Sequence, residues 1–223
     1  MMQEKKEKLN IGLKEIIPEY YSHYKIVRWL FKKRLNDALN FVIKIKSKCL
    51  LDAGCGDGSF IRLINERKEE IKLFGIDINP NVVYLSKEIK NCSFSVQDFA
   101  HTNFANSSFD TIVCLDTLEH IKDVKSGLVE LRRILKDDGY LISSEPVESV
   151  LYKLLRFIIK GTYSQETGPG AGVHYYNARE IDEEIRKMGF IKIASKKIPF
   201  YFPFDLFHIN LYQKIELSLK DPI

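Results

Sequence analysis

The stretch 49–60, CLLDAGCGDGSF, leaves the backbone little choice. An apolar run, Cys49, Leu50 and Leu51, ends in Asp52. Glycines follow at every second position, Gly54, Gly56 and Gly58. Apolar residues then recur at helical spacing, at Phe60, Ile61, Leu63 and Ile64. The order is strand, tight turn, helix start. Glycines permit positive φ and carry no Cβ, so a ligand can lie against the backbone. The first turn of the helix adds unpaired N–H groups and the positive end of the helix dipole. The spacing is G-x-G-x-G, one residue shorter than the G-x-G-x-x-G of dinucleotide binders. Asp52 at the strand end would repel a pyrophosphate and attract an ammonium group. The loop therefore suits a cationic, amino-acid-bearing nucleoside better than a dinucleotide.

The alternation of strand and helix continues. Residues 72–77 form a second strand ending in Asp77, and Pro80 opens a helix over 81–89. An acidic residue about 20 positions beyond a glycine turn is placed to accept hydrogen bonds from both ribose hydroxyls. Ile78 would then lie against the base. Residues 92–97 alternate as a third strand, with Asp98 and Phe99 at its end. The fourth strand, 111–115, is continuously apolar, as a strand covered on both faces should be, and runs into Asp116-Thr117-Leu118-Glu119-His120-Ile121. A helix over 122–136 stops near Gly139, and a fifth strand occupies 139–146. Asn177 caps a helix over 178–188, a sixth strand follows over 189–199, and the aromatic tail holds one more strand or helix. The fold class is α/β, a doubly wound and mostly parallel sheet, with its ligand crevice at the carboxyl ends of the strands.

The runs L-D-A-G-C-G-D-G, D-F at 98–99, F-x-x-x-S-F-D before the fourth strand, D-x-L-E-H-I and L-K-D-D-G-Y-L resemble the class I S-adenosylmethionine-dependent methyltransferases, in their small-molecule branch. The resemblance implies a Rossmann-like, seven-stranded sheet with a reversed strand in the tail, and S-adenosylmethionine as cofactor, leaving as S-adenosylhomocysteine. It assigns Asp52, Ala53, Gly54, Cys55, Gly56, Gly58, Leu115 and His120 to the methionine end, Asp77 to the ribose, and Ile78, Asp98 and Phe99 to the adenine. His120 and His174 are the catalytic candidates, as positioning groups or as a base. Glu119 is assigned a structural, helix-start place. Tyr20, Tyr24, Glu145 and Tyr175 are the substrate-side candidates, and no metal is expected. The implied reaction moves a methyl group to an oxygen or carbon of a small metabolite of quinone, lipid or sugar type, apolar compounds included.

A chain of 223 residues with 45% hydrophobic and 29% charged residues suffices for one α/β domain with additions. Residues 1–46 are expected to be a helical lid segment and 47–223 the cofactor-binding domain, with an insertion at about 147–176. Within 25–46 the apolar stripe is Ile26, Trp29, Leu30, Leu35, Leu39, Val42 and Ile43, with Lys32, Lys33 and Arg34 on the wet side. The net charge of +4 is mild and scattered, so no nucleic-acid partner is expected. The partner expected is the small-molecule methyl acceptor. The four cysteines form no C-x-x-C pair and suit reduced thiols. The charged start carries no apolar leader, and no run reaches the roughly 18–20 apolar residues of a membrane span, so a cytoplasmic location is expected. Residues 149–160 are apolar with a basic edge, which suits packing on the core or peripheral contact with a membrane surface. The chain has no N/D-P-P-Y/F run and no Pro-Cys nucleophile, which disfavours amino-group and cytosine acceptors. Two rival readings are a nicotinamide-dependent oxidoreductase and a catalytically silent methyltransferase-like partner protein. The oligomeric state is not specified.

Overall fold

Strands that are apolar on both faces require a layer of helices on each side. The computed structural model, described here for residues 23–67, 70–84, 88–147, 154, 157, 173–199 and 205–216, has that arrangement. The elements are α1 (Lys25–Lys44), β1 (Cys49–Ala53), α2 (Ser59–Glu66), β2 (Lys72–Asp77), a short 3-10 turn (Pro80–Tyr84), β3 (Cys92–Val96) and β4 (Phe109–Leu115). A second 3-10 turn (Leu118–His120), α3 (Val124–Ile134), β5 (Leu135–Pro146), α4 (Ala178–Lys187), β6 (Phe190–Ile198) and β7 (Phe207–Lys214) complete it. The seven strands lie in the order β3-β2-β1-β4-β5-β7-β6. β1 to β5 pair in parallel, and β7 runs antiparallel between β5 and β6. The order reverses direction at β1, which places the crevice at the carboxyl ends of β1 and β4.

Alternation along each strand divides the core in two. Leu50, Val113, Ile142 and Leu211 face α1 and α2, where Leu39, Val42, Phe60, Ile61 and Ile64 complete one layer. Leu51, Ile112, Leu141 and Tyr212 face α3 and α4, against Leu128, Leu131, Ile181 and Ile185. The tail strand is tied to α4 by a hydrogen bond from the Tyr212 hydroxyl to Asp182 Oδ1 at 2.7 Å. All four cysteines are free, with Cys55 and Cys114 buried. Burial pushes the Cys55 and Cys114 thiols up, which keeps them protonated and unreactive.

Several boundaries and faces differ from expectation. Of the helix expected over 81–89, the described residues show a 3-10 turn over Pro80–Tyr84 and a helical residue at Glu88; the turn is opened by Asn79, whose Oδ1 accepts from the Asn81 amide at 2.9 Å. Gly139 does not end α3. The helix passes directly into β5, and the left-handed residue is Asp138, at φ 58°. A Cβ at Gly139 would lie 2.7 Å from Leu135 Cγ and 2.8 Å from the Lys136 carbonyl, so close packing of a chain bulge is what requires glycine there. In α1 the stripe is rotated. Val27, Leu30, Arg34, Leu35, Ala38, Leu39, Phe41 and Val42 are buried, while Ile26, Trp29 and Ile43 are exposed. Arg34, placed on the wet side by the charge pattern, is 2% exposed. Among the described residues no helix is long and apolar enough to cross a membrane.

α4 begins with a reciprocal cap. Asn177 Oδ1 accepts from the Arg179 and Glu180 amides at 3.0 and 3.1 Å, and the Glu180 side chain accepts from the Asn177 amide at 2.8 Å. Asn177→Ala is expected to lower stability by about 1 kcal/mol, measured by urea unfolding, because two amides lose their acceptor. A midpoint unchanged from the parent protein would show that the cap contributes nothing.

Candidate active site

The glycine turn takes the conformation that its spacing requires. Gly54, Gly56 and Gly58 all have positive φ, at 82°, 51° and 72°. The Gly54 and Cys55 amides both donate to the Ile76 carbonyl, at 2.8 and 3.0 Å, which fastens the turn to the end of β2. Gly54 is also a contact point. A Cβ there would sit 2.4 Å from Thr117 Oγ1 and 2.5 Å from its Cγ2. The turn after β1 and the exit of β4 are therefore pressed together, and only bare backbone fits between them. Asp57 holds the start of α2 by accepting from the Ser59 amide at 3.0 Å and its hydroxyl at 2.8 Å.

Acidic groups gather around this turn. Asp77 Oδ2 accepts from the Gly56 amide at 2.9 Å, and its Oδ1 accepts from the Asn79 amide at 2.9 Å. Its carboxylate is fixed at the end of β2, directly on the glycine turn. Asp52 is 2% exposed beneath the turn. Burial, with the Asp77 and Asp57 charges adding to it, pushes the Asp52 carboxyl up to about 8. Ala53 is buried beside it, and Leu115 is half-buried at the end of β4. Ile78 is 73% exposed, an apolar side chain held open next to Asp77. Asp98 is exposed at the end of β3, with Oδ1 accepting from the Ala100 amide at 2.9 Å. Phe99 departs from its expected role. Its ring is buried in the core against Gly127, where an added Cβ would lie 2.4 Å from the ring. It has no open face for a base, because Gly127 leaves a hole that the ring fills.

The Asp52 shift sets a pH dependence for the ligand-free protein. The unfolded carboxyl releases its proton near 3.8 and the folded one near 8, so between these values the unfolded state holds fewer protons. Stability therefore falls as pH rises through that window. Asp52→Asn is expected to flatten the fall and to raise the thermal midpoint at pH 8 relative to the parent protein. An identical pH profile in the two proteins would contradict the buried, neutral state of Asp52.

The exit of β4 carries a second group of polar side chains. Asp116 has φ 52°, its amide donates to the Ser144 carbonyl at 2.8 Å, and its carboxylate forms an ion pair with Arg34 of α1. Glu119, in the following turn, is 1% exposed. Burial raises its carboxyl, while its own amide and the Arg34 charge oppose the rise. Neither of its oxygens has a hydrogen-bond partner from another described residue. His120 Nδ1 lies 3.2 Å from the Val173 carbonyl, and burial lowers the imidazole, so it is neutral near pH 7. His174 meets it edge to face, with ring centroids 4.7 Å apart. The segment carrying His174 is laid across this turn by the Tyr175 amide, which donates to the Glu119 carbonyl at 2.8 Å, and by the Tyr176 hydroxyl, which donates to the Lys122 carbonyl at 3.1 Å.

The substrate-side candidates separate. Tyr175, next to His174 in the chain, is 48% exposed. Tyr24 is 54% exposed at the start of α1. Tyr20 lies outside the described residues, as does most of 149–160, of which Leu154 and Phe157 are exposed. Glu145 is 1% exposed within the end of β5, with Asn210 Nδ2 3.4 Å from its Oε2, so it forms no open wall of the crevice. Burial, with the Glu119 charge adding to it, pushes it up to about 8. Sequence reasoning missed Thr117, Asp57 and Arg34. Thr117 had only its place in D-x-L-E-H as a signal, and Arg34 lay in a basic run of the kind that normally faces water.

A family model described as a methyltransferase domain matches residues 26–195, most of the chain. The chain belongs to this family, and its fold is that of the class I S-adenosylmethionine-dependent methyltransferases. An uncharacterized protein of Methanocaldococcus jannaschii is 35% identical over 99 residues, 44% of this chain and 40% of that protein. A demethylmenaquinone methyltransferase of Bacteroides fragilis is 26% identical over 48% of this chain and 47% of that enzyme. The chain thus matches less than half the length of either relative. The magnesium protoporphyrin IX methyltransferase of Synechocystis, solved with bound S-adenosylhomocysteine, superposes with a TM-score of 0.66 at 19% identity, covering 92% of this chain and 94% of that one. Membership in a methyltransferase family removes the nicotinamide-dependent oxidoreductase reading.

Proposed function

We propose that the chain binds S-adenosylmethionine in the crevice at the ends of β1 to β4 and methylates an oxygen or carbon of a small metabolite. The observation that carries this reading is the Asp77 carboxylate bonded to the Gly56 amide, with Asp52 and Asp98 at the neighbouring strand ends. The residues fit the cofactor. The bare glycine turn accommodates the methionine end, and Asp52 below it offers the charge that an ammonium group needs. Asp77 is placed for the ribose hydroxyls. Ile78 and Asp98 are placed for the adenine, the first by apolar contact and the second by accepting from an exocyclic amine. When bound, the cofactor supplies a methyl group on a sulfonium, already electrophilic. The protein's own work is then to hold the acceptor in line and to exclude water. Residues 173–176 cross the β4 exit beside His120, which supports the reading of His120, His174 and Tyr175 as the acceptor side of the crevice. The neutral His120 is suited to orient an acceptor or take a proton from it.

An acceptor of quinone type has the support of the Bacteroides fragilis relative, whose own acceptor is a demethylmenaquinone. Small-molecule acceptors in general have the support of a mild net charge of +4, with basic residues scattered among acidic ones along the sequence. The test is transfer of labelled methyl from S-adenosylmethionine into fractionated extracts of the host. Label in an organic-soluble or small polar fraction is expected. Cofactor binding with no label in any fraction would favour the silent-partner reading, and label in RNA or protein would remove the small-metabolite reading.

Binding should also move a proton. Asp52 is neutral near pH 7 without ligand, and an ammonium group beside it favours the carboxylate. Titration calorimetry of S-adenosylhomocysteine at pH 7 is expected to show release of close to one proton, read from the dependence of heat on buffer ionisation enthalpy. Binding without proton release would separate Asp52 from the ligand's amino group.

A further inference from the structure

We propose that Glu119, His120 and His174 form a site for one divalent first-row transition-metal ion, and that this ion holds an oxygen of the methyl acceptor. The second half rests on the proposed function, whereas the first does not. The three side chains each bring one ligand atom to within 4.8 Å of the other two. Two imidazoles and one carboxylate make a donor set suited to zinc, manganese, iron or cobalt, and three protein ligands leave positions open for water or substrate.

Two independent features point to a cation. Glu119 is 1% exposed, yet neither of its oxygens has a hydrogen-bond partner from another described residue. A buried carboxylate in that state is costly unless a cation meets it. Arg34 acts on it electrostatically, but the guanidinium forms its ion pair with Asp116. Among the described residues, Arg34 thus acts on both Asp116 and Glu119.

His120 supplies the second feature. A carbonyl can only accept, so Nδ1 carries the hydrogen in the 3.2 Å contact with Val173. That fixes the tautomer and leaves Nε2 with its lone pair, as in histidines that ligate a metal and donate their other N–H to a backbone carbonyl.

The geometry needs only a modest adjustment. Ligands at about 2.0–2.2 Å from a shared ion lie roughly 3–4 Å from one another. His174 sits on a segment crossing the turn, and its approach to the fixed Glu119 is the adjustment the ion requires. The site lies beyond Thr117, which itself presses on Gly54 of the cofactor turn. An ion there stands on the acceptor side of the crevice. It would position a phenolic, enolic or alcoholic oxygen and favour its deprotonated form.

The test uses the whole chain after treatment with a chelator. Titration with CoCl2 is expected to give one ion per chain and visible d–d absorption bands, which ZnCl2 removes by displacement. His174→Ala is expected to weaken cobalt affinity at least tenfold while leaving S-adenosylhomocysteine affinity within twofold, which shows that the variant is folded. Glu119→Gln should act in the same direction, and the His174 variant decides the matter if that one fails to fold. No cobalt bound at millimolar CoCl2, or binding indifferent to His174→Ala, overturns the ion site. Addition of catechol to the cobalt-loaded protein is expected to shift the visible bands, and unchanged bands overturn the acceptor half. Cobalt binding without S-adenosylhomocysteine binding would sink the proposed function and leave the ion site standing, and the reverse result would do the opposite.

Discussion

Arg34→Ala is expected to destabilise the fold by about 3–5 kcal/mol, because it removes the cation from a buried ion pair and strands its partners. Arg34 is 2% exposed and pairs with Asp116, whose side chain is 26% exposed. Its guanidinium also stands 4.6 Å from the Phe31 ring centroid and 5.1 Å from that of Phe207. Those two rings meet edge to face at 5.3 Å. Removal would leave a void between them and would leave Asp116 and the buried Glu119 without their common counter-charge. Arg34→Lys keeps a charge but loses the planar fork, so it should recover only part of the loss. The double variant Arg34→Met, Asp116→Asn should be more stable than Arg34→Ala alone, since methionine fills the void, asparagine tolerates the left-handed backbone at φ 52°, and only Glu119 is left without its counter-charge. Urea unfolding of the three proteins decides this. A loss below about 1 kcal/mol for Arg34→Ala would place the pair among solvent-screened surface bridges.

Asp77→Ala is expected to weaken S-adenosylhomocysteine binding by about 10- to 160-fold, the range for losing charged hydrogen bonds worth about 1.5–3 kcal/mol. Two effects add. The carboxylate is lost to the ribose, and the Gly56 amide, held by Oδ2 at 2.9 Å, loses the acceptor that orders the glycine turn. Asp77→Asn retains one carbonyl oxygen and should fall between the parent and the alanine variant. Calorimetry at fixed pH and salt reads the series. Equal affinity across the three would remove Asp77 from the site.

The parts of this molecule that were legible in the sequence are those in which local covalent chemistry decides. Positive φ at Gly54, Gly56 and Gly58 follows from a tight turn that only glycine tolerates. Asp77 stands on the glycine turn, as its distance along the chain implies, and that distance is set by one β-α-β unit. The continuously apolar β4 announced its burial on both faces. What failed depended on rotation or on depth. Helical spacing in α1 gives a stripe without a fixed angular origin, so Trp29 and Arg34 exchanged places between core and water. Phe99 and Glu145 sit at the correct strand ends, yet their side chains are buried, because Gly127 leaves a hole for the ring and Asn210 of β7 reaches the acid. His174 meets His120 from far along the chain, and no short-range pattern encodes that contact.

The proposed function requires that three strand ends and the glycine turn bind one sulfur-containing nucleoside. The most direct measurement is a crystal structure of the chain with S-adenosylhomocysteine. The expected density has the ribose on Asp77, the adenine between Ile78 and Asp98, and the amino group over Asp52. Density for the nucleoside away from the Gly54–Gly58 turn, or bound with Asp77 and Asp52 out of contact, would contradict the account.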